Sequence, residues 1–374
     1  MHMSTAGTTQ VQRRPKRARR PGRKFGKWQL IALALVALLA IAWTIIAMVN
    51  GTVTTVTRTL SIPGLPSALE GYTIVQLTDL NGATFGEKQE KLADAISAVD
   101  YDVICMTGDM VGASGNAQPL YDLLDALNTS KPIMFITGDS DPDPLADTPG
   151  ADGTLYADYI RQLQARGVTY VDSPQMITVG NANIWFSSVL HLNINTQSNL
   201  DSLEQMYNSA LADPNNDAND LAYDAYRLDC ARKLNNAAQN MQSVDLHITL
   251  SHVPLSDDFV HAMQYAEGEN SADTQDEYAG NQYLRLIDLA LCGHYVGGQW
   301  RLPFVGALYV PDERLARGGW LPEQDEVSGL RRSNSVYIYT STGLGTSDAY
   351  SLPPFRLFNQ PEIVVIRLTS QLGA

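Results

Sequence analysis

The sequence is poor in cysteine: it has Cys105, Cys230 and Cys292, and no CxxC pair. So few cysteines exclude a disulfide framework, and the missing pair argues against a thiolate zinc site. Charge is sparse too, with Asp, Glu, Lys and Arg making up 18% of the 374 residues. Against 44% hydrophobic residues, that balance allows a packed core and excludes wholesale disorder. No acidic residue precedes Glu70, whereas nine of the 26 Lys and Arg lie between Arg13 and Lys27. The remainder therefore carries 17 basic against 40 acidic residues. Such a body repels polyanions, so no nucleic acid is expected as a partner.

What the sequence does have is one long uncharged run, from Lys27 to Arg58. Within it, Leu30 to Val49 reads LIALALVALLAIAWTIIAMV. About 20 apolar residues span ~30 Å as a helix, the thickness of a hydrocarbon core. Trp28 and Trp43 suit interfacial or near-interfacial depths. The preceding RRPKRARRPGRKFGK belongs on the cytoplasmic side, which puts the body outside. The expected organisation is a basic cytoplasmic tail over 1–27, a single transmembrane helix over 28–50 in the lipid bilayer of the cytoplasmic membrane, a Thr-rich stalk over 51–70, and a domain over 71–374. A cleaved signal peptide is the competing reading. Its apolar region is normally about 7–15 residues with a small-residue cleavage site, a pattern not obvious here.

Beyond the stalk, apolar strands and amphipathic helices alternate: YTIVQLTDL (72–80), EKQEKLADAISAVD (87–100), DVICMTGDM (102–110), PLYDLLDALNT (119–129) and KPIMFITGDSD (131–141). This βαβαβ order predicts an α/β fold with parallel strands covered by helices. DLHITLSH (245–252) and LIDLALCGH (286–294) read as two more strands, each ending in His. Residues 198–243 are polar and read as mostly helical. The acidic stretch 267–281 reads as a surface loop, with a lid over a site as the alternative. The tail, SVYIYTSTG then PEIVVIRL, predicts a second sheet packed on the first.

Five polar segments follow strands: TDLN (78–81), TGDM (107–110), TGDSD (137–141), SHVP (251–254) and GHYVGGQ (293–299). The carboxyl ends of strands are where α/β folds place their sites. Asp and His gathered there can hold divalent cations, which clamp a phosphate and activate water. Any one segment alone is weak; five in order are not.

With these segments the chain resembles the calcineurin-like metallophosphoesterases, and among them the bacterial membrane-anchored branch. The resemblance runs over roughly residues 60–372 and is most specific at IDLALCGHYVGGQWRLPFVGALYVP (287–311) and STGLGTSDAYSLPPFRLFNQPEIVVIRL (341–368). It implies a two-sheet αββα sandwich with a di-metal site at the strand ends. It also implies site residues and departures from the family's pattern. DxH becomes Asp79-Leu80-Asn81; GD is kept as Gly108-Asp109; the acidic residue three positions on becomes Gly112; GNH[D/E] becomes Gly138-Asp139-Ser140-Asp141. His252 and His294 are kept, and the last His is Val296. One metal position would have Asp109, Asp139, His252 and His294. The other would have Asp79, Asn81 and Asp109 only. One intact and one impaired site follow, taking one or two divalent ions (Mn, Zn, Fe or Mg). Ser140 cannot supply the proton expected of the family's His.

The functional expectation is a membrane-anchored, extracytoplasmic, metal-dependent phosphoesterase. Its substrates would be phosphates at the membrane surface, lipid-linked phosphates among them. The alternative is a catalytically inactive phosphoesterase-like binding or scaffold protein. Of the other groups, His247 and His261 read as structural. His191 follows a strand, SSVLHLN, from which the site is within reach, and Gln299 reads as part of a tight turn near the metal rather than a ligand. Arg356 reads as a phosphate partner or a structural ion pair.

Overall fold

The computed structural model describes residues 26–269 and 282–371, apart from 313, 316, 317, 348, 349 and 351. The basic tail before residue 26 and most of the acidic stretch 267–281 lie outside these described residues. The chain divides into two units, Met1–Ile45 and Ile46–Ala374. Helix α1 (Lys27–Asn50) has no charged residue after its first, and is long and apolar enough to cross a membrane. At 1.5 Å per residue its 24 residues reach about 36 Å.

Two six-stranded mixed sheets make the body. The first is built from β1 (Thr54–Ser61), β2 (Thr73–Leu77), β3 (Val103–Thr107), β4 (Ile133–Ile136), β5 (Val168–Tyr170) and β16 (Glu362–Thr369), in the order β1-β16-β2-β3-β4-β5. Strands β2 to β5 are parallel, and β16 runs antiparallel to β2. The second is built from β6 (Gln175–Val179), β7 (Ala182–Ser188), β8 (Leu246–Ser251), β9 (Leu289–Cys292), β14 (Gly329–Ser333) and β15 (Val336–Thr340), in the order β14-β15-β9-β8-β7-β6. Its centre, β15-β9-β8-β7, is parallel. Two short antiparallel pairs lie between β9 and β14: β10 (Arg301–Leu302) with β11 (Gly306–Ala307), and β12 (Tyr309–Val310) with β13 (Gly319–Trp320).

Strands β2, β3, β4, β8 and β9 are buried at every position, which is why the sequence shows them as unbroken apolar runs. Alternate residues serve two cores. Ile74, Val103, Cys105, Ile248, Leu250, Leu289 and Leu291 meet between the sheets. Val75, Ile104 and Met106 pack instead with Leu92 of α2 (Glu90–Ser97), Leu123 of α3 (Gln118–Leu127) and Ile160 of α4 (Asp158–Gln164). On the far side Ala290, Cys292 and Ile338 pack with Leu234 of α6 (Ala218–Asn240) and Val260 of α7 (Asp257–Glu269). The layers are therefore helix, sheet, sheet, helix, the αββα sandwich expected. Helix α5 (Thr196–Ala212) adds to α6 through Leu203, Leu228 and Ala231.

Two expectations need correction. Residues 51–70 are not a free stalk: β1 pairs with β16 from Thr54↔Glu362 to Ser61↔Thr369, and Leu60 is buried between the sheets. The Thr-rich composition read as a linker is also good strand composition, and an edge strand buries too little to show a full apolar run. The tail does not add strands to one sheet only. Strand β15 joins the second sheet, while β16 returns to the first.

Candidate metal centre

Each expected segment leaves the carboxyl end of a central strand, and the loops are tied to one another. The Asp79 N–H donates to Gly108 O at 3.0 Å, and the Asn81 N–H to Asp109 O at 2.8 Å. Asp141 braces the next loop: its carboxylate accepts from the N–H groups of Val111 (2.7 Å), Gly112 (3.2 Å) and Gly138 (2.9 Å). The sheets are linked just below. Gln76 donates to Thr107 Oγ1 at 3.1 Å and to the carbonyl of Cys292 at 2.8 Å. Asp79, Asp109 and His294 all hold positive φ, at 51°, 51° and 75°. Left-handed backbone costs an L-residue roughly 1–2 kcal/mol, so the packing stores strain at these three positions.

Close approach also demands small residues. A Cβ on Gly293 would stand 2.1 Å from Thr78 Oγ1 and 2.6 Å from Asp79 Oδ2. A Cβ on Gly112 would stand 2.7 Å from Asn81 Oδ1, so glycine replaces the family's acidic residue where the amide crowds the chain.

The site has two overlapping parts. One ligand atom from each of Asp139, His252 and His294 lies within 4.8 Å of the others, and the same holds for Asp79, Asp109 and His252. The expected quartet of Asp109, Asp139, His252 and His294 is thus divided, with His252 common to both parts. Its ring is fixed from behind. Nδ1 lies 2.9 Å from Thr107 O, an acceptor, so Nδ1 carries the hydrogen and Nε2 turns to the cluster. Nε2 is 3.3 Å from Asp109 Oδ2 and 3.2 Å from His294 Nδ1. Burial pushes the His252 pKa down, but the Asp109 contact and the charge of Asp79 outweigh it and hold the imidazole at about 9. Asp79 is raised to about 6, by burial. Asp109 stays below the usual carboxylate range, because His252 and the Ser140 N–H, at 2.8 Å, outweigh its burial.

The donor chemistry fits a divalent cation. Asp79 is fully buried; its Oδ2 accepts from Thr78 Oγ1 and the His294 N–H, but its Oδ1 has no partner among the described residues. An ion beside it would satisfy that oxygen. Imidazole nitrogens with carboxylate oxygens suit Mn, Zn or Fe, and the acidic half also suits Mg. Asn81 contributes no bonded side-chain amide: its buried Nδ2 is unpartnered among the described residues. Val296 is fully buried and offers no ligand atom.

Two residues absent from the motif reading stand at this site. His294 Nε2 lies 2.7 Å from Asp312 Oδ2 and 2.8 Å from Arg314 Nη2, and these two contacts hold the ring with Nδ1 towards His252. Arg314 Nε donates to both Asp312 oxygens at 3.0 and 3.1 Å, and its Nη2 donates to Asp139 Oδ2 at 3.1 Å. Both follow β12 in a loop without a strand signal. Their only mark in the sequence is their position just past the Leu-Pro segment.

The secondary candidates resolve as structural groups. His191 accepts from the Ser188 N–H at 3.1 Å and reaches Asp172 O at 2.9 Å. His247 lies between Ser187 Oγ and Arg285 O, and its burial lowers its pKa to about 4. Gln299 is buried and holds the Ser347 N–H and Pro353 O. Arg356 is fully buried, and its guanidinium is taken up by the carbonyls of Thr342, Gly345 and Asn359.

Two cavities flank the centre. One, of about 970 Å³, runs from Asp139 and His252 past Ile136, Val171, Leu203 and Phe259. The other, of about 1020 Å³, is lined by Asp109, Asp139, His294, Asp312 and Arg314.

The model of the calcineurin-like phosphoesterase family matches residues 72–297. Phosphodiesterase YaeI of Escherichia coli is 37% identical over 81 residues, covering 22% of this chain and 25% of the relative. The match therefore spans about a quarter of that curated relative's length. Among solved structures, the phosphopantetheinyl hydrolase PptH of Mycobacterium tuberculosis is similar at 11% identity and a TM-score of 0.33, over 74% of this chain and 91% of the other. The purple acid phosphatase PPD1 of yellow lupin (Lupinus luteus) is similar at 11% identity and a TM-score of 0.31, over 82% and 55%.

Proposed function

The chain belongs to the calcineurin-like phosphoesterase family, and on that premise we propose that it is a metal-dependent phosphoesterase tethered by α1 and acting outside the cytoplasmic membrane. The reading rests on the convergence of Asp79, Asp109, Asp139, His252 and His294 at the ends of five separate strands' loops, with His252 Nε2 turned inward by its bond to Thr107. A divalent ion bound there supplies a Lewis acid for the phosphoryl group and lowers the pKa of water beside it.

The chain's own residues do the rest. His252, His294 and Asp139 form the better ligand group, with Asp109 braced against His252 by Ser140. Asp312 and Thr107 hold the two imidazoles in the tautomers that ligation needs. No imidazole follows Asp139, so leaving-group protonation falls to solvent rather than to Ser140. The tether and the basic residues before α1 support a body on the outer face and a substrate at the bilayer surface.

The apolar cavity that shares Asp139 and His252 favours phosphates with an apolar part, lipid-linked phosphates among them. A relative named a phosphodiesterase makes diesters the first esters to try. The test is a p-nitrophenyl alkyl phosphate series, methyl to butyl, given to the full-length chain with Mn²⁺. A buried methylene stabilises by ~0.8 kcal/mol, so KM should fall up to about fourfold per carbon. A flat series would remove the apolar subsite.

The second reading, a non-catalytic binding protein, is favoured by buried Val296 and unpartnered Asn81, which leave the Asp79 side short of ligands. It predicts ion binding with no hydrolysis of any ester under Mn, Zn, Fe or Mg.

A further inference from the structure

We propose that Arg314 is a catalytic residue that binds an oxygen of the phosphoryl group, a cation built into the chain beside the ion site. The inference rests on the phosphoesterase reading above for where the phosphoryl group lies, and on its own geometry for the residue.

The guanidinium is held firmly on one edge and open on the other. Nε bonds both oxygens of Asp312, the Arg314 N–H donates to Asp312 Oδ1 at 2.8 Å, and Nη2 lies 3.1 Å from Asp139 Oδ2, 2.9 Å from Asp312 Oδ2 and 2.8 Å from His294 Nε2. Nη1 makes no hydrogen bond among the described residues. The side chain is 48% exposed, while that of Asp312 is only 10% exposed, so a largely buried carboxylate anchors a half-open cation. Arg314 lines both cavities that meet at the ligand group, and in the one of about 1020 Å³ it is the only Lys or Arg among the described lining residues. A planar guanidinium with free N–H groups at such a junction is suited to phosphate oxygens.

Charge balance says why the site needs it. Asp79, Asp109, Asp139 and Asp312 put four carboxylates around the place where an anionic phosphoryl group must sit. Asp139 adds a charge where an amide stands in the family pattern, and Asn81 and Val296 remove two imidazole ligands. A fixed cation in contact with Asp139 offsets that added charge, and it needs no ion on the Asp79 side to do so. Asp312 couples the two tasks, because the same carboxylate orients His294 and Arg314.

The test uses the full-length chain in detergent, and the variants Arg314→Ala and Arg314→Lys. Three quantities are read: Mn²⁺ affinity, inorganic phosphate affinity of the Mn²⁺-loaded protein by titration calorimetry, and kcat and KM on a p-nitrophenyl ester. Losing a charge-assisted hydrogen bond should weaken phosphate binding roughly ten- to hundredfold in Arg314→Ala. Mn²⁺ affinity should be unchanged or stronger, and Arg314→Lys should fall between, keeping charge without the fork. Equal phosphate affinity in wild type and Arg314→Ala would overturn the proposal, and so would a wild type that binds Mn²⁺ but no phosphate. If phosphate binding falls as expected while no ester is turned over by wild type, the phosphate contact of Arg314 stands, while its catalytic role fails together with the enzyme reading.

Discussion

Removing the ion should make the body's stability fall as pH rises, and His252 sets most of that slope near neutrality. Its folded pKa is about 9 against an ordinary 6.5, held there by Asp109 and Asp79 against its burial. A raised folded pKa means the stabilising charged form is fully present below pH 6.5. That contribution is then lost as pH rises through 9. A gap of about 2.5 units at 1.36 kcal/mol each is on the order of 3 kcal/mol. Asp79 acts in the same direction lower down, since burial raises it from 3.8 to about 6, and its contribution fades between those values. The assay is urea unfolding of metal-free full-length protein followed by tryptophan fluorescence, at intervals from pH 6 to 10. His252→Gln supplies the control, because other groups titrate in that range and cancel in the difference. The wild type should lose about 3 kcal/mol more than the variant across this window. Parallel curves for the two proteins would refute the account of the Asp79–Asp109–His252 group.

Other predictions follow from the same contacts. Ligation by His252 must displace its proton, so Mn²⁺ affinity measured by titration should weaken about tenfold per pH unit below about pH 9, and a pH-independent affinity would contradict this. Arg356→Met should leave three carbonyls unpaired, two of them buried, and cost roughly 3–5 kcal/mol in urea unfolding, with little change in the activity of the fraction that stays folded. Gly293→Ala forces a Cβ onto Thr78 and Asp79. It should cost roughly 1–3 kcal/mol and lower metal affinity as well, whereas stability loss alone would place the strain elsewhere.

The strands and their order were legible because fully buried parallel strands leave apolar runs of four to six residues, and the polar residue after each run marks a strand end. Asp79, Asp109, Asp139, His252 and His294 could be found that way. Three features could not. Strand β1 is an edge strand whose exposed Thr residues resemble a linker until β16, some 300 residues later, pairs with it. The sharing of His252 depends on its rotation about a bond to Thr107, which no spacing encodes. Asp312 and Arg314 sit in an irregular loop, where neither helical nor strand periodicity applies. Only the folded chain puts them 2.7 to 3.1 Å from His294 and Asp139.

The central claim is that His252 and His294, with Asp139, hold a divalent ion beside Asp109. Its most direct test is the metal content of full-length protein after equilibration with Mn²⁺ and dialysis, in the wild type, the His252→Ala, His294→Ala double variant, and Asn81→Ala. The account predicts about one tightly held ion in the wild type and in Asn81→Ala, as the surviving donor set dictates, and none in the double variant. Equal metal in the double variant and the wild type would contradict it.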